Sequence, residues 1–438
     1  MRLILNKNRI SAKGKYYIDI ILTFLFVFGI PFTFLPINSS KVVLLFLLVL
    51  YLFQIIYTNQ KEFLIKKDIL IFSSLLIFLI GISAIYPIFH KTMDFSLPYA
   101  YIVFLFENFI GSYLLYVLLL QKYSFDNILH ILIIITLLQA LIIISMFVSE
   151  PIRNFFFTLS GSNEELMERY GGFRGFGLAG SVTYDLSVFL SIGMIFISYL
   201  ISQNSTNKLF YIISWVFILF AILMTGRTGL IGVLFSLLIL FVNFNNKNSF
   251  KNICYLIISI FLIALATVFI LSEYYPETYN ILILSVIPYA FEMFFNFFEN
   301  GSIGTSSSEV LQTMYFQVSE KTFFLGDGYW INPNGFGYYM GTDAGYMRHI
   351  LYYGLFPSLF LYLLYIYGFY KIACFLPKTL NNKLLVAILC IYYFLVHYKG
   401  DFLTGSPMNI KLFCIILIIS IHYNKKEEKK YDENIICS

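Results

Sequence analysis

The chain has 438 residues, 59% of them hydrophobic and only 12% charged, with a formal net charge of +5 and a mean hydropathy of +0.80. A water-soluble domain carries about 25% charged residues, so half that density over this length excludes a soluble enzyme. Aromatic residues reach 20%, which suits a membrane body with interfacial belts.

A helix that crosses the hydrocarbon core needs roughly 17 to 25 mostly apolar residues. Such runs are predicted near 17–36, 42–57, 69–87, 99–120, 127–148, 180–201, 209–224, 228–244, 252–272, 350–370, 384–397 and 409–423. They are apolar on every face, unlike the alternating strands of a spanning barrel. The expected fold class is all-α: a polytopic membrane protein, 1–438 as a single integral membrane domain, with about twelve transmembrane helices.

The first run follows a basic stretch with Arg2, Lys7, Arg9, Lys13 and Lys15 and lacks a small-residue cleavage site, so it reads as a retained helix. With an even number of crossings both termini share one side. Most of the 29 Lys and Arg fall there, so the positive-inside bias places both termini in the cytoplasm, with Lys425, Lys426, Lys429 and Lys430. None of the five cysteines falls in a predicted external loop, and none has metal-ligand spacing.

Two external connections are long, about 149–179 and about 272–349; loops of this size are uncommon unless functional. The larger holds an apolar run, Ile281 to Phe298, interrupted by Pro288 and carrying Glu292. It is expected to lie along the outer interface as an amphipathic or re-entrant segment rather than to cross.

External arginines run against the positive-inside bias, and five are predicted: Arg153, Arg169, Arg174, Arg227 and Arg348. Arg169 and Arg174 lie in a glycine-rich segment entering the sixth predicted helix, where close backbone approach and a helix amino terminus favour an anion. Guanidinium forks bind phosphate oxygens bidentately; the alternative is contact with lipid headgroups or with nearby Glu164, Glu165 and Glu168. Arg227 stands in the turn Thr225-Gly226-Arg227-Thr228-Gly229, either snorkelling to headgroups or turned inward to an anion.

The large loop closes with Gly326-Asp327-Gly328 and then Asp343 to His349, where Asp343 is either an N-cap or a proton acceptor. His349, six positions on, could share a cavity with it and titrate near neutrality, or serve as a hydrogen-bonded interfacial side chain. Elsewhere Asp19, Glu107 and Asn108 are intramembrane polar positions, and Lys399 and Asp401 are expected to pair with each other or with lipid. His90, His130, His397 and His422 are scattered and suggest no metal site. No P-loop, dinucleotide fingerprint or metalloprotease helix is present, which argues against use of cytoplasmic nucleotide energy; no cofactor and no nucleic acid is expected.

With two large outer loops and about twelve helices, the chain resembles the O-antigen polymerase family, often called Wzy, within the wider group that includes O-antigen ligases. The local resemblance lies in Gly172-Phe173-Arg174-Gly175-Phe176-Gly177, in Thr225-Gly226-Arg227-Thr228-Gly229-Leu230, and in Gly326-Asp327-Gly328 followed by Asp343-Ala344-Gly345-Tyr346 and Gly354. It implies a glycosyltransferase at the outer face of the bacterial cytoplasmic membrane that polymerises undecaprenyl-pyrophosphate-linked repeat units. On that basis Arg174, Arg227, Arg348 and Arg169 would bind pyrophosphate, and His349 or Asp343 would act as base. Implied partners are membrane lipids, a chain-length regulator and a flippase. The alternatives are an O-antigen ligase and a lipid-linked oligosaccharide transporter.

Overall fold

The computed structural model describes residues 2–58, 66–161, 174–181, 183–203, 207–242, 247–302 and 304–423. Among these residues no strand forms beyond one isolated bridge between Ile331 and Tyr338. The first half contains α1 (Arg2–Phe28), α2 (Ser39–Thr58), α3 (Lys67–Phe89), α4 (Ser96–Leu120), α5 (Phe125–Val148), α6 (Glu150–Ser160) and α7 (Tyr184–Ser202). Next come α8 (Lys208–Thr225), α9 (Thr228–Val242) and α10 (Lys247–Tyr274). The large loop folds into α11 (Pro276–Ala290), α12 (Glu292–Asn300), α13 (Ser306–Thr313) and α14 (Glu320–Leu325). The chain finishes with α15 (Gly345–Tyr353), α16 (Leu355–Phe375), α17 (Leu380–Lys399) and α18 (Pro407–His422).

Among the described residues nine helices, α2 to α5, α7, α8, α10, α16 and α17, are long and apolar enough to cross a membrane. The other three predicted runs lie on α1, α9 and α18; α9 and α18 are apolar but short, at 15 and 16 residues. Cross-links sort the connections into two ends. At one end Thr33 bonds Leu159 and Thr158, Asp94 accepts from the backbone of Trp330 and Ile331, and Lys399 reaches Thr228. At the other Lys66 bonds the Ile421 carbonyl, Lys371 pairs with Asp68, and Lys122 pairs with Asp19.

At the centre stands α7, buried on nearly every face. Lipid is as apolar as leucine, so helices in it associate through close packing rather than through expulsion of water. Small residues provide that closeness: Gly229 and Gly232 of α9 lie against Ser187 and Ser191 of α7 with no room for a side chain.

The large loop departs from expectation in detail. Its apolar run bends by 73° between α11 and α12, at Phe291 rather than at Pro288. Pro288 falls at the start of an α-helical turn that follows a π-helical stretch, Leu282–Val286, where a missing N–H is tolerated. The predicted tenth helix is likewise two pieces. Gly354 breaks it at φ +76°, and a Cβ there would overlap the Phe324 carbonyl. Gly354→Ala is therefore expected to cost more than about 1 kcal/mol. Thermal unfolding in detergent would measure this, and an unchanged midpoint would remove this account of the break.

Candidate functional site

A cavity of about 600 Å³ opens at the end of the bundle where α7 and α9 begin and α17 ends. Four cations line it, Arg174, Arg227, Arg348 and Lys399, with three carboxylates, Asp185, Asp343 and Asp401. Three of the four arginines selected from the sequence thus meet in one space. Arg169 lies outside the described residues, as do Gly172 and Phe173.

Arg174 begins a segment pinned by two backbone bonds, from Gly175 N–H to the Met224 carbonyl and from Gly180 N–H to the Phe28 carbonyl, both 2.8 Å. The glycines thus serve packing between helices as much as approach to a ligand: a Cβ on Gly175 or Gly177 would strike Ile143. The Arg174 guanidinium lies 4.6 Å from the ring centre of Tyr289 on α11, and Arg227 lies 4.2 Å from the same ring. Arg227 does not snorkel. It pairs with Glu292 and donates to Ser306 Oγ at 3.3 Å, so the loop run that carries Glu292 folds over the turn between α8 and α9.

Arg348 sits on α15 with its guanidinium between Trp330 and Tyr338, 3.8 Å from each ring centre. Its side chain is 7% exposed and its nearest carboxylate oxygen, Asp401 Oδ2, is 3.8 Å away, beyond hydrogen-bond range. Among the described residues the guanidinium makes no hydrogen bond. Burial pulls its pKa down, while the charges of Asp401, Tyr338 and Asp343 oppose that shift. A planar cation held between aromatic faces with its donors unspent is a receptor for an anion.

Asp343 does not cap α15. The N-cap position is Ala344, and no side chain bonds the first turn. The carboxyl is half-buried on the cavity wall instead, and burial raises its pKa against its own backbone N–H and the charges of Arg348 and Lys399. His349 takes a different place: its ring is fully buried, with Nδ1 3.0 Å from Tyr353 Oη and Nε2 3.3 Å from Asp401 Oδ1, and it does not line the cavity. Asp343 and His349 therefore do not share a wall.

Asp401, expected from the sequence to pair with Lys399 or with lipid, contacts His349 and Arg348 instead. Thr404 Oγ1 lies 2.6 Å from both its oxygens. Burial alone would raise its carboxyl, but the His349 hydrogen bond with the charges of His349, Arg348 and His397 holds it well below the usual carboxylate range. It does not pair with Lys399, whose ammonium donates to Thr228 Oγ1 at 2.9 Å. His397, far from His349 in sequence, lies beside it, with ring centres 5.3 Å apart.

His349, His397 and Asp401 have spacing that could hold a metal ion. Yet His397 Nδ1 already accepts from the N–H groups of Phe402 and Leu403, at 3.2 and 3.4 Å, and a guanidinium flanks the carboxylate. A divalent cation bound through His397 Nδ1 would have to displace those bonds, and through either nitrogen it would face that charge, so the trio fits the role of a support for Asp401 better than that of a metal site.

Gly326-Asp327-Gly328 is also a support: the N–H groups of Asp327 and Gly328 bond the carbonyls of Leu351 and Tyr352, fixing the helix that bears Arg348. Of the intramembrane residues, Asp19 pairs with Lys122 at 2.6 Å and Glu107 with Lys411 at 3.0 Å. No family model, curated protein or solved structure matches the chain.

Proposed function

We propose that this protein is a membrane glycosyltransferase of the O-antigen polymerase type, which joins oligosaccharide repeat units carried on undecaprenyl pyrophosphate. The observation that carries the reading is Arg348, a buried guanidinium with unspent donors, facing the same cavity as Arg174, Arg227 and a carboxyl of raised basicity. An acceptor sugar hydroxyl gives its proton to Asp343 as its oxygen attacks the anomeric carbon of the donor. The bond from that carbon to pyrophosphate breaks, and the departing oxygen takes the electron pair. Charge develops on pyrophosphate, where the arginines meet it; one such preorganised contact is worth about 10²–10³ in rate. Asp401, kept anionic, holds Arg348 in place without quenching it, and His349 positions Asp401.

On this reading α1, α9 and α18 cross as well, for about twelve crossings in all. Both termini are cytoplasmic, and the cavity faces outward from the bacterial inner membrane. The bent pair α11 and α12 is a re-entrant cover over Arg227. A flippase delivers the substrates and a chain-length regulator limits the product.

Deleting the gene and separating the surface polysaccharide on a gel tests this reading. The expected result is loss of the ladder with one repeat unit still attached to its acceptor core. Core alone, with full chains on the lipid carrier, would replace the reading with a ligase; no outward repeats at all would replace it with a transporter. Complementation with Arg174→Ala at normal abundance should leave the ladder short, and a normal ladder would remove Arg174 from the site.

A further inference from the structure

A second cavity, of about 230 Å³, lies across a thin wall from the first. Asp185, which lines the first, accepts hydrogen bonds from Ser181 and Ser406, and Ser181 lines the second. Asn409 Nδ2 stiffens this wall, 3.1 Å from the Asp185 carbonyl and 2.7 Å from Ser406 Oγ. One hydrogen-bonded layer separates the two spaces.

The floor of the second cavity is a buried ion pair. Lys411 Nζ is 3.0 Å from Glu107 Oε1 and 2.5 Å from Ser40 Oγ, with side chains 1% and 9% exposed for the lysine and the glutamate. Glu107 stands in a π-helical stretch of α4, Phe104–Ile110, an irregularity that occurs frequently at functional sites. The pair cancels its own charge. Lys41, which lines the same cavity, adds a positive charge that nothing cancels: among the described residues its ammonium makes neither an ion pair nor a hydrogen bond.

The cavity also meets the apolar surface. Tyr99, Val103 and Glu107 follow one another at four-residue steps on α4, so it runs along about 12 Å of helix. Tyr99 is 61% exposed, and the adjoining faces carry exposed Ile102 and Phe106 on α4 and Leu45 and Phe46 on α2. In a helix that crosses a bilayer these faces meet acyl chains, so the mouth admits a ligand with a charged head and a long apolar tail.

We infer that this second cavity binds the phosphate head of a polyprenyl-pyrophosphate carrier, with Lys41 as its cation. The inference rests on the glycan-transfer reading, since joining two lipid-carried units requires two carrier heads at the same time. The first cavity supplies arginines to the pyrophosphate that leaves. The second holds the carrier that keeps its glycan, whose pyrophosphate bond does not break. The Asp185 wall keeps the two like-charged heads apart.

Native mass spectrometry of the full-length protein in detergent, with undecaprenyl pyrophosphate as the probe, tests the assignment. The unmodified protein should bind two molecules, and Lys41→Ala should bind one, with occupancy of the second reduced at least tenfold. Val103→Trp, which fills the mouth without altering a charge, should remove the same molecule, so the double variant still binds one. Lys411 is left in place because its removal would strand Glu107 as a buried charge. Two molecules retained on both Lys41→Ala and Val103→Trp would overturn the inference. A single Lys41-dependent molecule on the unmodified protein would count against the glycan-transfer reading but uphold the second site, and a single Lys41-independent one would overturn the second site. Inorganic pyrophosphate or phosphatidylglycerol that displaced the Lys41-dependent molecule at equal concentration would assign the site to a free anion or to headgroups in general, and would overturn the carrier.

Discussion

An Asp343→Asn protein is expected to make no polymer while unfolding at the same temperature as its parent or higher. Burial raises the Asp343 carboxyl above its ordinary value, with Arg348 and Lys399 opposing only part of that shift. A carboxyl with a higher pKa folded than unfolded binds its proton more tightly in the native state. Stability therefore falls as pH rises from the unfolded value to the folded one, and the full deficit persists above that. Near neutral pH the ionised side chain weighs against folding, and asparagine removes that burden.

The same shift strengthens Asp343 as a proton acceptor, because general bases act best with a pKa nearer the working pH. Loss of the base should cost about 10²–10⁴ in rate. Initial rates on lipid-linked repeat units should also fall on the acid side, with a limb above the range of an ordinary exposed carboxylate. Polymer made by Asp343→Asn at more than a few per cent of the parental rate would remove Asp343 as the base. Loss of activity together with a lower unfolding temperature would make its role structural.

The helices were legible because apolar runs of crossing length are written in consecutive residues. Arg174, Arg227 and Arg348 were legible for a related reason: basic residues on the predicted outer side of a topology stand out against the bias. Their meeting in one cavity was not, since it depends on packing among α7, α9, α15 and α17. Lys399 and Asp401, two positions apart, looked like each other's partners. The fold instead gives Lys399 to Thr228, 171 positions away, and Asp401 to His349, 52 positions away.

Lys411 was hidden by the apolar run around it, although its partner Glu107 was noticed 304 positions earlier. A buried lysine calls for a carboxylate, and that rule joins the two once both are placed in the hydrocarbon. Of the two readings of Asp343, the cap failed for a local reason. The helix starts at Gly345, so its N-cap position falls on Ala344, one residue past Asp343.

Arg348→Ala should be the most damaging single change, because the side chain bears on both the fold and the chemistry. Its removal leaves Asp401, 4% exposed, without its guanidinium neighbour, and leaves Trp330 and Tyr338 facing a gap. Stranding one partner of a buried ion pair costs about 3–5 kcal/mol, and His349 and Thr404 should keep the loss near the lower end. Because Asp401 is held well below the usual carboxylate range, it stays ionised in the folded protein through ordinary acidic conditions. Its stabilising contribution is present above the unfolded pKa and disappears only as pH falls through the folded one. The Asp401 part of the difference in unfolding temperature between parent and Arg348→Ala should accordingly stay constant from about pH 5 to pH 8, while Asp343, which also loses the opposing charge of Arg348, should widen the difference as pH rises. Arg348→Lys separates fold from function: it restores a cation beside Asp401 but not the planar fork or the stacking between two rings. It should recover most of the stability while polymer formation stays about 10²-fold down. Full activity in Arg348→Lys would mean that charge alone suffices at this position, and the bidentate anion contact would have to be assigned to Arg174 or Arg227.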